Sequence, residues 1–265
     1  MNITTKLPSL NSIFNKKIFF IDGDGTIYLG NTLLPGAKTF INRLNQLNIP
    51  FYICTNNSSK PPKDYIKHYT QLGLNIQETH LLTSTQPALL YCHEKNISQL
   101  YIIATKAVHA YIESQGITHE EHQPKAILLT YDTELTYKEI KHTVKWLNQG
   151  LPYFATHPDQ LCPTEQGMLP DIGTYITMFK TASGRSPDLI FGKPNTMMIE
   201  PILKQHQLEL KDAVIIGDRL YTDIKMGQNN ELTTVLTLQG ETTIEMANES
   251  TIKADFIISS LNELI

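Results

Sequence analysis

Short, almost wholly apolar runs alternate along this chain with segments of helical periodicity, and that alternation limits the possible folds more than any other feature. The runs "KIFFID" (17–22), "IPFYIC" (49–54), "LYIIA" (100–104), "AILLT" (126–130), "PYFAT" (152–156), "LIFG" (189–192), "AVIIGD" (213–218), "TTVLT" (233–237) and "DFIIS" (255–259) show no polar–apolar alternation. Such runs are expected of strands covered on both faces, as in parallel sheets. Between the first two, Ala37, Phe40, Ile41, Leu44 and Leu47 follow Pro35 at the spacing of one helical face. Further helices are expected near 62–72 before Gly73, at 85–95 after the short "LLT", from 106, over "TYITMFKTASG", from about 195 and after Thr222. Thr136 and Glu139 make a capping box for a helix over 136–148, with Tyr137, Ile140, Val144 and Leu147 on one face and Gly150 beyond its end. The pattern is α/β throughout, with no tandem repeat and no Gly/Ser linker.

At 265 residues the chain exceeds the usual single-domain size, so one domain with an insertion is expected. The formal charge is −4 and the lysines and arginines are scattered, which argues against a nucleic-acid partner. Cys54, Cys92 and Cys162 are widely spaced with no CxxC, as expected of buried free thiols. Lysines stand at 6, 16 and 17, but the "IFFI" run is too short for a signal core or a membrane span, so a soluble cytoplasmic protein is expected.

The first strand ends in "DGDGTIYLG", which crowds Asp22 and Asp24 into three residues. Like charges this close must be solvated, share a metal, or keep a proton on one member. Taken alone, "DGDG" could be an ordinary turn. A calcium loop does not fit, because Ile27 holds the slot that needs glycine and Leu33 the slot that needs glutamate. Two other apolar runs also end in polar signatures, "FYIC" before Thr55-Asn56-Asn57 and "VIIG" before Asp218. Ligands of open parallel sheets bind outside the carboxyl ends of the strands. Asp22, Asp24, Thr55, Asn56, Asp218 and Asp223 are therefore expected in one crevice, a set suited to Mg²⁺ and phosphate oxygens.

"DGDGTIYLG", "CTNNSS", "FGKPN" and "GDRLYTDI", in that order, resemble the haloacid dehalogenase superfamily, most closely its NagD-like, p-nitrophenylphosphatase-type Mg²⁺-dependent phosphatases. The resemblance covers nearly the whole chain. It implies a Rossmann-like parallel-sheet core over 1–85 and 185–265, with a second, smaller α/β cap domain, 86–184, inserted over the crevice. It implies that Asp22 is the nucleophile, forming an aspartyl-phosphate, and that Asp24 is the general acid and helps hold the metal. Thr55, Asn56 and, in the same loop, Asn57 would bind phosphate, and Lys193 would neutralise nucleophile and phosphoryl charge. Asp218 would be a direct Mg²⁺ ligand, and Asp223 a further acidic position acting through water or by holding Lys193.

"THPDQLCPTEQGMLPDIG" resembles the cap loop, making His157, Asp159 and Asp171 candidates for substrate choice. Similar proteins usually have Asn where His157 stands, a Gly-rich "PG.G" where this chain has Pro170-Asp171-Ile172-Gly173, and a larger apolar residue where Gly23 stands. The implied substrate is a small phosphorylated metabolite. A phosphotransferase using the same intermediate and a catalytically silent metabolite-binding protein are the alternatives. Neither a nucleic-acid nor a membrane partner is expected, and a homodimer stays open because cap-mediated dimers occur in similar proteins.

Overall fold

The computed structural model describes residues 9–164, 167–228 and 230–265. Lys6, and Glu165 and Gln166 of the cap-loop signature, lie outside them. The chain divides into two compact units, residues 1–53 with 202–265, and residues 54–201.

In the first unit the sheet runs in the order Phe256–Ile258, Thr233–Thr237, Ala213–Gly217, Ile18–Asp22, Phe51–Thr55. Ile18–Asp22 pairs parallel with Ala213–Gly217, Ile18 opposite Ala213 and Ile21 opposite Ile216, and the next two pairs are parallel as well. Every residue of Ile18–Asp22 and of Ala213–Gly217 is buried, which is why their sequences are apolar without alternation. Helix Ala37–Gln46 buries Ala37, Phe40, Ile41 and Leu44, whereas Leu47, expected on that face, caps the helix and is about half exposed. Phe40 meets Phe19 and Phe14 edge-on, Phe14 stacks on Phe19, and the Arg43 guanidinium lies 4.7 Å from the Phe14 ring centre.

The unit boundary falls inside the Phe51–Thr55 strand, after Ile53. The second unit contains a five-stranded parallel sheet in the order Leu189–Ile190, Tyr153–Ala155, Ala126–Leu129, Gln99–Ile103, Thr118–His119. Successive side chains point to opposite faces. Leu100, Ile102, Ala126, Leu128 and Phe154 therefore join Ala88, Leu89, Val108 and Ile112 of helices Thr85–Glu94 and Lys106–Ser114. Tyr101, Ile103, Ile127 and Leu129 join Trp146, Leu147, Ile172 and Phe179 of helices Tyr137–Asn148 and Ile172–Ser183. Helices cover both faces, which explains the continuous apolar runs.

The capping box forms as expected. Thr136 N donates to Glu139 Oε2 at 2.7 Å, and Glu139 N donates to Thr136 Oγ1 at 3.3 Å. Tyr137 does not line the buried face. It sits in the first turn, 79% exposed, while Thr143 and Trp146 take inward positions. Cys54 and Cys92 are buried, but Cys162 is only half-buried, because it lies on an antiparallel hairpin of Leu161–Thr164 with Gly167–Pro170. Among the described residues no helix is long and apolar enough to cross a membrane.

Candidate active site

In the first unit, the carboxyl ends of two neighbouring buried strands deliver Asp22 and Asp218. After Asp22 the chain folds back at once: Ile27 N donates to Gly23 O at 2.8 Å and Gly25 N to Tyr28 O at 2.8 Å. Gly25 adopts φ +85°, and a Cβ there would overlap the Asp218 carboxylate. A Cβ on Gly240 would overlap the same oxygen, Oδ2, which accepts a hydrogen bond from Glu241 N at 2.7 Å. Glycine on two sides thus lets backbone close around Asp218. Asp223 is buried in the short turn Leu220–Ile224, beneath Gly217, and its Oδ2 accepts from Arg219 N at 3.2 Å.

Asp22, Asp218 and Asp223 are all buried, and one oxygen of each lies within 4.8 Å of the others. Three carboxylates so close repel strongly unless a cation or protons compensate them. An all-oxygen, carboxylate-rich donor set suits a hard divalent cation. The residues present therefore fit Mg²⁺. Asp24, two residues on, is half-buried, and its carboxylate is not one of the three.

In the second unit, Thr55 ends its strand with Oγ1 accepting from Asn57 N at 3.1 Å. The Asn57 carboxamide turns back on Ser59, accepting from its N at 3.0 Å and its Oγ at 2.7 Å. Asn56 and Lys193 are interlocked. Asn56 Nδ2 donates to Lys193 O at 2.9 Å, and Lys193 N donates to Asn56 Oδ1 at 2.8 Å. The Lys193 ammonium, though the residue is 1% exposed, donates to Cys54 O at 3.1 Å. A buried lysine held in this way is not the solvated surface lysine that composition alone would suggest.

His157, Asp159 and Asp171 are buried in the same unit, the two imidazole nitrogens facing Asp159 at 3.8 Å and Asp171 at 3.6 Å. The sequence reading missed Gly240 and Glu241, which flank Asp218. They follow the Thr233–Thr237 strand, neighbour of Ala213–Gly217, so the strand-end rule that found Asp218 points to them too.

A model of the haloacid dehalogenase-like hydrolases matches residues 19–118, and an HAD-hydrolase-like model matches 190–264. The solved 4-nitrophenylphosphatase of Thermotoga maritima is 33% identical, with 95% of this chain and 97% of that one covered and a TM-score of 0.92. The chain belongs to the haloacid dehalogenase-like hydrolases. It is a phosphatase of their NagD-like, p-nitrophenylphosphatase-type branch. An acid sugar phosphatase of Staphylococcus saprophyticus is 28% identical over 95% of this chain and 97% of its own. A glycerol phosphate phosphatase of Mycobacterium tuberculosis, solved in complex with magnesium, shares the fold at 23% identity and a TM-score of 0.85, with 94% of this chain and 76% of that one covered. Among the described residues of the first unit, the three-carboxylate group has the chemistry that suits a divalent metal.

Proposed function

We propose that this phosphatase is a Mg²⁺-dependent phosphomonoesterase that cleaves small sugar-phosphate-like esters through an aspartyl-phosphate on Asp22. The observation that carries the reading is the buried group of Asp22, Asp218 and Asp223 within 4.8 Å. When bound there, Mg²⁺ supplies positive charge against the nucleophile and the phosphoryl oxygens. Asp22 attacks phosphorus, the bond from phosphorus to the ester oxygen breaks, and Asp24 gives that oxygen its proton. Water then attacks the phosphorus, Asp24 takes the water's proton, and inorganic phosphate leaves with the Asp22 carboxylate restored. Thr55 Oγ1 already accepts from Asn57 N, so its hydroxyl hydrogen is the part left to donate to a phosphoryl oxygen. The Asn56 and Asn57 loop and Lys193 add donors and charge, which is most of what phosphoryl transfer asks of a protein.

Residues 1–85 and 185–265 form the catalytic domain in this reading, and 86–184 the cap that selects the leaving group. The names of the similar phosphatases favour sugar and aryl phosphates as first substrates to test. Asp22→Asn is expected to lower turnover of an aryl phosphate by at least about a thousandfold while leaving the fold intact. Retained turnover would contradict the covalent role.

A further inference from the structure

Buried at 0–5% exposure, as Lys193 is at 1%, His157, Asp159 and Asp171 would read a substrate only through contacts that face one. Their contacts run elsewhere. Asp159 Oδ1 accepts from Asn56 Nδ2 at 3.0 Å, so that nitrogen divides its two hydrogens between Asp159 and the Lys193 carbonyl. The amide can point only one way, because Lys193 N needs the oxygen and the Asp159 carboxylate needs the nitrogen. Asp159 is itself pinned. Its carbonyl accepts from Gly173 N at 2.7 Å, its own N donates to His157 Nδ1 at 3.4 Å with the second carboxylate oxygen 3.8 Å from that ring nitrogen, and a Cβ on Gly173 would overlap the carbonyl of Pro158. His157 Nε2 faces Asp171, whose carboxylate caps helix Ile172–Ser183 by accepting from Ile172 N at 2.6 Å.

We propose that His157 and Asp159 are positioning residues for this phosphatase: they fix the Asn56 carboxamide, which in turn fixes the Lys193 main chain and with it the direction of the ammonium. The inference rests on the reading that Asn56 and Lys193 serve the phosphoryl group. Such residues act on every ester alike, because the phosphoryl group is common to all, whereas a residue in contact with the leaving group changes the ranking of esters. Misplacement of a reacting charge by about 1 Å costs up to about a hundredfold in turnover.

The test compares Asp159→Ala, Asp159→Asn and His157→Ala across an aryl phosphate and several sugar phosphates with Mg²⁺ present. D159A is expected to lower kcat about ten- to a hundredfold by the same factor for every ester, with KM changed less than about threefold. D159N, which keeps an oxygen that accepts from Asn56 Nδ2, is expected to recover most of that loss, and H157A to fall between them. An ester-dependent change, or no change in kcat, would overturn the proposal. Should D159A fail to fold, the Asn56 side-chain amide resonances of the intact protein decide: two distinct, exchange-protected protons support the relay, and a rapidly averaging pair overturns it. Lys193→Ala is the control for the underlying reading. If K193A retains full turnover, that reading fails; if K193A is inactive and D159A is not, only the relay fails.

Discussion

Asp218 occupies space that two glycines leave open, and that close approach sets how the three-carboxylate group can be altered. Gly25 needs its glycine twice over, for a φ of +85° and for the room its missing Cβ gives the carboxylate; Gly240 needs it for room alone. Gly240→Ala is therefore the cleaner variant. It is expected to push the Asp218 carboxylate aside and raise the Mg²⁺ concentration for half-maximal turnover about tenfold, as loss of a supporting contact around a metal ligand does. A titration with Mg²⁺ at saturating ester checks it. That Asp22 and Asp218 lie close together was legible in the sequence, because each stands at the end of an apolar run that reads as a strand; Asp223, in the turn that follows, joins them. The partnership of Asp159 with Asn56 was not, since 103 positions separate them and neither residue type announces its partner.

Elements carry their own consequences, and the edge of the second unit's sheet is one. Strand Thr118–His119 stops after two residues, and the next backbone donor along the neighbouring strand, Ile102 N, is met instead by His119 Nδ1 at 3.1 Å. Burial, and then the nearby His109 ring with its centre 4.9 Å away, hold the His119 pKa below the ordinary imidazole value, while Glu121, Glu113 and Glu120 oppose them. A folded-state pKa below the unfolded one means stability is fully present above about pH 6.5 and is lost as pH falls toward the folded value. His119→Asn keeps an acceptor without a titrating ring, so its unfolding midpoint is expected to fall less than that of the wild type between pH 7.5 and 5. At the helix Tyr137–Asn148, Thr136→Ala removes the side-chain cap and is expected to cost about 1 kcal/mol in urea unfolding. That helix was legible because its cap is local chemistry. The exposed position of Tyr137 was not, because periodicity gives the spacing of a face but not how far along the helix the core extends. The hairpin of Leu161–Thr164 with Gly167–Pro170 left no signal either, since Leu161, Met168 and Leu169 are apolar yet exposed and so break the pattern that marks a strand.

Across the whole molecule, the chain leaves its first compact unit within one strand, at Ile53, and returns to it at Ile202. The α/β class was legible from the alternation of apolar runs with helical segments, and a second α/β unit from the long interval between Thr55 and Lys193, which far exceeds a simple crossover of about 30 residues. The division of contacts within the Phe51–Thr55 strand was not legible, because nothing in an apolar pentapeptide marks a boundary. A cation bound by the folded carboxylate group but not by the unfolded chain stabilises the protein by mass action. The unfolding temperature should therefore rise with Mg²⁺, and Asp218→Asn should abolish that rise. The most direct measurement is mass spectrometry of the protein acid-quenched during turnover of an aryl phosphate with Mg²⁺. The account predicts one added phosphoryl group on the peptide containing Asp22, absent when the cation is chelated; full turnover with that peptide never modified, or with the phosphoryl group on another residue, would contradict it.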